Sequence, residues 1–219
     1  MEDKPCYPCE QEVIEKNPPC PLQCMSPKCK AYQRTAPIDS NKTPIVWVLG
    51  GPGSGADIQC QMITAKYGFI PLSTGDLLRA EAKSGSDRAK CLATIMERRE
   101  LVPNDVVVDL LNKTMLAMAG EAKGFLINNF PREKAQGIFF EKKITPVTVI
   151  IYLEVSPENL AKLIPTDAKS TIDPQLKTFL ENNEQILEHW PNKIKRISAE
   201  GTADAIFSQV SQFINPLIA

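Results

Sequence analysis

An unbroken apolar run, Ile45-Val46-Trp47-Val48-Leu49, leads straight into four glycines, Gly50, Gly51, Gly53 and Gly55. Consecutive β-prone residues bounded by glycine read as a strand buried on both faces, the pattern of a parallel sheet. Glycines at this spacing let backbone N–H groups close around phosphate oxygens with no Cβ in the way. The sequence therefore predicts a strand, a phosphate-binding loop built on Gly50, Gly51, Gly53, Ser54 and Gly55, and a helix beginning near Gly55.

The chemistry that such a loop needs is missing. After the last glycine it carries a lysine for the β- and γ-phosphates and a hydroxyl residue for magnesium. Ala56, Asp57 and Ile58 stand there instead. A charged hydrogen bond of the lysine type contributes about 1.5–3 kcal/mol, and alanine makes none. Asp57 adds a carboxylate at the loop mouth. At ~5 Å and an effective dielectric of ~20 it repels each phosphate charge by about 3 kcal/mol. Ile58 offers magnesium no ligand. The same aspartate falls in the first helical turn, among unpaired N–H groups and the positive end of the helix dipole. There it would partly substitute for phosphate and stabilise an empty loop.

The rest of the chain continues in the same style. With 219 residues it is long enough for one well-cored domain. A net charge of −1 gives no basic excess to suggest nucleic acid or an acidic membrane surface. No apolar run approaches spanning length and the N-terminus lacks a signal-peptide core, so a cytoplasmic protein is expected. From Pro44 onward strands and helices alternate. Phe125–Asn128 and Val147–Val155 are further strands, with weaker ones at Phe69–Leu72 and Ile194–Ser198. Helical stretches cover 55–66, 86–99, 104–119, 132–143, 157–163, 174–189 and 202–215. This predicts an α/β fold, a doubly wound parallel sheet with helices on both faces and a nucleotide crevice at the strands' carboxyl ends. Met96, Met115 and Met118 sit at helical positions suited to core filling, and His189, the single histidine, has no partner in view.

Three further stretches narrow the reading. Leu72-Ser73-Thr74-Gly75-Asp76-Leu77-Leu78-Arg79, Met96-Glu97-Arg98-Arg99-Glu100-Leu101-Val102-Pro103 and Gly124-Phe125-Leu126-Ile127-Asn128-Asn129-Phe130-Pro131-Arg132 follow the loop in order. With the loop, they make residues 44–215 resemble the short-lid, cytosolic adenylate kinases, with the P-loop nucleoside monophosphate kinase fold. The resemblance implies an AMP site formed by Thr74, Arg79, the backbone near Val102, Arg132 and Gln136. Arginine suits two of those positions because its planar fork grips phosphate oxygens in two places. The resemblance also exposes departures. Asn128-Asn129 replaces an Asp-Gly whose aspartate organises magnesium. Between Arg132 and Arg196 there is no arginine, although the family's lid, here Leu163 to Asp173, and its flanking helices carry several. Phe179 stands where one is expected. A transition-state arginine is worth about 10³–10⁵ in rate. The chain thus looks like a degenerate, pseudo-adenylate-kinase with no catalytic residues and no cofactor expected and Mg-ATP binding doubtful, the degeneracy lying at Ala56, Asp57, Ile58 and Asn128.

Residues 1–43 are of another kind. They hold Cys6, Cys9, Cys20, Cys24 and Cys29, many prolines and almost no apolar periodicity, and read as an extended arm before a domain at 44–219. Cys6, Cys9, Cys20 and Cys24 suit a zinc site in number, while prolines inside the turns speak against it. Disulfides conflict with an intracellular setting unless the protein sits in a long-lived oxidised assembly. The remaining reading is an arm that docks in the grooves of a protein partner, proline limiting the entropy lost on ordering. Short Pro-Cys repeats are similar to segments of sperm-tail structural proteins, which points to tubulin or axonemal partners and a cytoskeletal place in a cilium or flagellum. Three functions follow: a structural or interaction component, an AMP-binding regulator, or a residual nucleoside monophosphate kinase moving phosphate from ATP to AMP.

Overall fold

The computed structural model describes residues 38–218 apart from 41, 52, 85–86, 99–100, 157, 160–178 and 180. The apolar run becomes β1 (Ile45–Gly50), every residue buried, and α1 (Ala56–Tyr67) follows the glycine loop. Gly68, at φ 70°, ends that helix in the left-handed conformation that glycine adopts most cheaply. Then come β2 (Ile70–Ser73), α2 (Thr74–Ala82), α3 (Asp87–Glu97), α4 (Asn104–Met118) and β3 (Phe125–Asn128). The remaining elements are α5 (Lys134–Lys143), β4 (Val149–Glu154), β5 (Ile194–Ser198) and α6 (Ala203–Ile214), with a 3₁₀ turn at Asn215–Leu217.

All five strands are parallel, in the order β2-β3-β1-β4-β5. The chain first lays β2 at the outer edge on one side of β1, fills the gap with β3, then crosses to add β4 and β5 on the other side. That reversal opens a crevice beyond the carboxyl ends of the central strands, where the glycine loop leaves β1. Strand alternation divides the core into two layers. Ile45, Trp47 and Leu49 face a layer with Leu78, Leu92, Val108, Leu111, Met115 and Phe140 from α2 to α5. Val46 and Val48 face the opposite layer, made with Cys60 and Ile63 of α1 and Ile206, Val210 and Ile214 of α6. Helices on both faces follow from that period of two.

At one end of the first layer, Glu141 of α5 accepts hydrogen bonds from Trp190 Nε1, Lys193 Nζ and the Val147 N–H, at 2.9, 2.9 and 3.0 Å. Burial alone would raise its pKa; those donors, with the charge of Lys193, hold it below the ordinary 4.5 instead. A depressed carboxylate stabilises the fold above its unfolded-state pKa and loses that contribution as pH falls through its folded value. Melting temperatures measured from pH 7 down to pH ~3 should therefore decline more steeply in the natural chain than in Glu141→Gln, the gap between the two curves closing below about 4.5. Parallel curves would mean that Glu141 contributes no acid sensitivity.

Several boundaries shift from the sequence reading. The stretch 86–99 shortens to Asp87–Glu97, 132–143 to Lys134–Lys143, and strand 147–155 to Val149–Glu154. Helix α2 was not expected at all. Ser73 caps it by accepting from the Asp76 N–H at 3.3 Å, a cap hidden in sequence by the glycine two residues later. Met115 is fully buried, whereas Met118 is 42% exposed and fills no core. Ile38 is buried in the core. Helix 157–163 falls almost wholly outside the described residues, as does the first part of 174–189; 181–189 are helical. His189 sets its ring edge-on to Trp190, 4.5 Å between centroids. Among the described residues, no helix is long and apolar enough to cross a membrane.

Candidate functional site

The glycine loop keeps its backbone geometry. A Cβ added at Gly50 would lie 2.2 Å from Ser54 Oγ and 3.0 Å from its Cβ, so any larger residue there must displace the buried Ser54 side chain. Gly55, at φ 76°, turns the chain into α1 through a conformation costly for any side chain. The Ser54 N–H donates to the Gly51 carbonyl at 3.0 Å, and the first helical bond runs from the Gln59 N–H to the Gly55 carbonyl at 3.0 Å. The N–H groups of the first helical turn have no partner within the helix. The loop's form is that of an anion cradle.

Its side chains are not. Ala56 is buried and packs in the α1–α6 layer. Ile58 is 50% exposed and bears no oxygen. Asp57 is exposed at the loop mouth and accepts a hydrogen bond from Asn128 Nδ2 at the end of β3. Asn128 Oδ1 and Ser54 Oγ are buried without a hydrogen-bond partner. One turn along α1, burial first and the Asp57 charge second push the Cys60 thiol up to about 12, so it stays protonated and inert. In sequence, Asp57 and Asn128 stand 71 positions apart as separate departures. A carboxylate gained at one position and lost at the other was the available signal that they meet.

The second group of residues lies beyond β2 and β3. Thr74 is buried at the start of α2, and Val102 is buried just before α4. Arg79 folds back over the first turn of its own helix, its Nη1 3.3 Å from where a Cβ on Gly75 would lie. There it pairs with Asp76, both side chains largely exposed. That pair contributes little in solvent and is easily exchanged for a stronger anion. Arg132 is different. Its guanidinium has no ion-pair partner among the described residues, and desolvation followed by the charge of Arg79 lowers its pKa. Two guanidiniums near enough to repel each other favour an anion between them.

The backbone of Arg132 is held from below. Its N–H donates to Gln136 Oε1 at 3.0 Å, Gln136 Nε2 donates to Asn104 Oδ1 at 3.3 Å, and Asn104 Nδ2 donates to Glu133 Oε1 at 2.7 Å. Gln136 is therefore 3% exposed, with both ends of its amide engaged. Asn104 and Glu133 escaped the sequence reading, which contained no motif for them. Asn129 adopts φ 52°, a left-handed turn that asparagine tolerates better than most residues.

The remaining sequence candidates divide simply. Phe179 is half-buried against the first core layer. The lid stretch from 163 to 173 lies outside the described residues, as do Cys6, Cys9, Cys20, Cys24 and Cys29. Among the described residues, no group of three or more histidine, cysteine or acidic side chains is placed to hold a metal ion.

Residues 48–195 match the family model described as adenylate kinase. The chain is similar to adenylate kinase isoenzyme 1 of Gallus gallus, 44% identical over 184 residues, covering 79% of this chain and 95% of that protein. The Rattus norvegicus protein of the same name is 41% identical, covering 80% of this chain and 96% of its own. Adenylate kinase 1 of Drosophila melanogaster is 39% identical over 220 residues, 95% of this chain and 93% of its own.

Proposed function

The chain belongs to the adenylate kinase family, and from that premise we propose that it is a catalytically impaired member which keeps a monophosphate-binding half and acts through interaction rather than turnover. One observation carries the reading: a carboxylate, Asp57, stands at the mouth of the loop where the reaction needs a cation, and is tied there by Asn128. The residues present also fail to fit magnesium as the family holds it. Ile58 has no ligand atom, and Asn128 turns its amide nitrogen toward Asp57. The opposite half keeps Thr74, Arg79, Val102 and Arg132, with Gln136 holding the Arg132 backbone from below and Arg132 free of any ion pair among the described residues.

Calorimetric titration of the whole protein tests both halves. AMP is expected to bind and Mg-ATP to give no heat, with no ADP formed from the two together. Arg132→Ala should weaken AMP binding by roughly 10- to 150-fold, the worth of one charge-assisted contact, and Arg132→Lys should recover part of it. Turnover of Mg-ATP and AMP by the natural chain would overturn the impairment. AMP binding unchanged in Arg132→Ala would remove the monophosphate site.

Residual phosphoryl transfer from ATP to AMP is the second reading, favoured by relatives 39–44% identical that carry the name adenylate kinase. The arm belongs to the first. Residues 1–43 would anchor the domain to a filament of ciliary or flagellar type through tubulin or axonemal proteins, a role supported by proline and cysteine content. A chain lacking residues 1–43 is then expected to leave the cytoskeletal fraction of ciliated cells, and unchanged sedimentation would count against anchoring.

A further inference from the structure

Two losses in the loop region are joined by a contact that replaces what was lost. Val48 of β1 pairs in register with Asn128 of β3, so the end of β3 sits beside the strand from which the glycine loop departs. From there Asn128 Nδ2 reaches Asp57 Oδ1 in the first turn of α1, 71 positions away in the chain. We propose that Asp57 and Asn128 form an intramolecular latch that occupies the anion-binding start of α1 and holds the glycine loop closed to nucleotide phosphates. The inference rests on the impaired-loop reading and deepens it, by giving the loop an occupant of its own.

Four features fit together only in this arrangement. Gly55, the residue preceding α1, supplies no side-chain cap, and Asp57 is the sole acidic residue in the first turn, so the helix start has one internal anion to meet. An aspartate at 128 would set a second carboxylate against Asp57. Asparagine keeps the shape and turns repulsion into donation. The amide orientation is fixed by that need: nitrogen toward the carboxylate, with Oδ1 left buried and unpartnered. Finally, Asp57 lies close enough to Cys60, one turn along the helix, for its charge to add to the burial that raises the thiol's pKa, as its place in the first turn requires.

The test uses the whole chain and inorganic tripolyphosphate, which carries the charge of a nucleotide's phosphates without its base. Because tripolyphosphate also suits the space between Arg79 and Arg132, uptake is read in an Arg132→Ala background, in which the chain with its natural loop should take up very little. Asp57→Asn keeps the shape, removes the charge and should bind tripolyphosphate at least about tenfold more tightly. In ligand-free protein Asn128→Asp should lower the melting temperature, because two carboxylates then face each other. The swapped pair, Asp57→Asn with Asn128→Asp, restores one donor and one acceptor and should recover most of that loss. Tripolyphosphate uptake unchanged in Asp57→Asn, or strictly additive melting shifts across the three variants, would overturn the latch. Should Asn128→Asp fail to fold alone, Asp57→Asn still decides the matter. AMP binding through Arg132 and the absence of turnover are read in separate assays, so the latch can fail while the impaired-enzyme reading stands.

Discussion

A chain rebuilt as Ala56→Lys, Asp57→Gly and Ile58→Thr is expected to bind Mg-ATP at least about 10²–10³-fold more tightly than the natural protein. The lysine brings back a charged hydrogen bond worth about 1.5–3 kcal/mol. Removing Asp57 lifts a repulsion of about 3 kcal/mol per phosphate charge at ~5 Å, reduced by solvent because the carboxylate is exposed. Even a partial sum of these terms exceeds the 2.8–4.2 kcal/mol or so that such a change requires. The backbone is ready to receive the ligand, since Gly55 already holds its left-handed turn and Gly50 its close approach to Ser54. Ala56 is buried, so the new lysine stem must follow the loop before its ammonium reaches the mouth.

Turnover should not return with binding. Arginines in the lid and its flanks are absent from the sequence between Arg132 and Arg196, and Phe179 packs against the core instead. A missing transition-state arginine leaves a deficit of about 10³–10⁵ in rate. Titration calorimetry paired with a coupled ADP assay separates the two effects. A rebuilt loop that bound Mg-ATP no better than its parent would show that Asp57 and the missing lysine are not what excludes it.

Trp47→Ala is expected to lose about 3–5 kcal/mol of stability, the largest loss from any single residue of the sheet. Trp47 is fully buried at the centre of the first layer. Its ring meets Phe130, Phe140 and Trp190 nearly edge to face, with centroids 5.0, 5.4 and 5.5 Å away. Truncation empties a cavity bounded by three rigid rings that have little freedom to collapse into it. For a domain of this size the melting temperature should fall by roughly 6–20 °C. Trp47→Phe makes an informative companion. The indole N–H is buried without a hydrogen-bond partner, so removing it relieves part of the cost of a smaller ring. Denaturant unfolding of the two variants measures the difference. A loss below about 1 kcal/mol in Trp47→Ala would mean that the cluster is loosely packed.

The strands were legible in the sequence for a specific reason. Ile45–Gly50 and Phe125–Asn128 lie in the middle of the parallel sheet, so both faces had to be apolar and the runs stand out unbroken. Helix α2 was hidden because Gly75 falls in its first turn and its hydrophobic face rests on few residues, chiefly Leu78. Met118 misled because helical spacing does not say where a helix runs past the end of the core. Among the site residues, the glycines and the two arginines were visible because each answers a local demand, for backbone room or for a planar fork. Asn104 and Glu133 were not, because they act on Arg132 only through Gln136.

The sequence by itself determined the loop's backbone, the parallel sheet and the loss of the lysine, since backbone conformation and side-chain charge are properties of a residue and its near neighbours. Only the tertiary structure decided that Asp57 would meet Asn128, that Arg79 and Arg132 would stand close enough to repel, and that Phe179 would lie half-buried against the core. Those outcomes depend on which strand lies beside which. With β3 rather than β2 next to β1, a carboxylate at one position finds its donor 71 residues away.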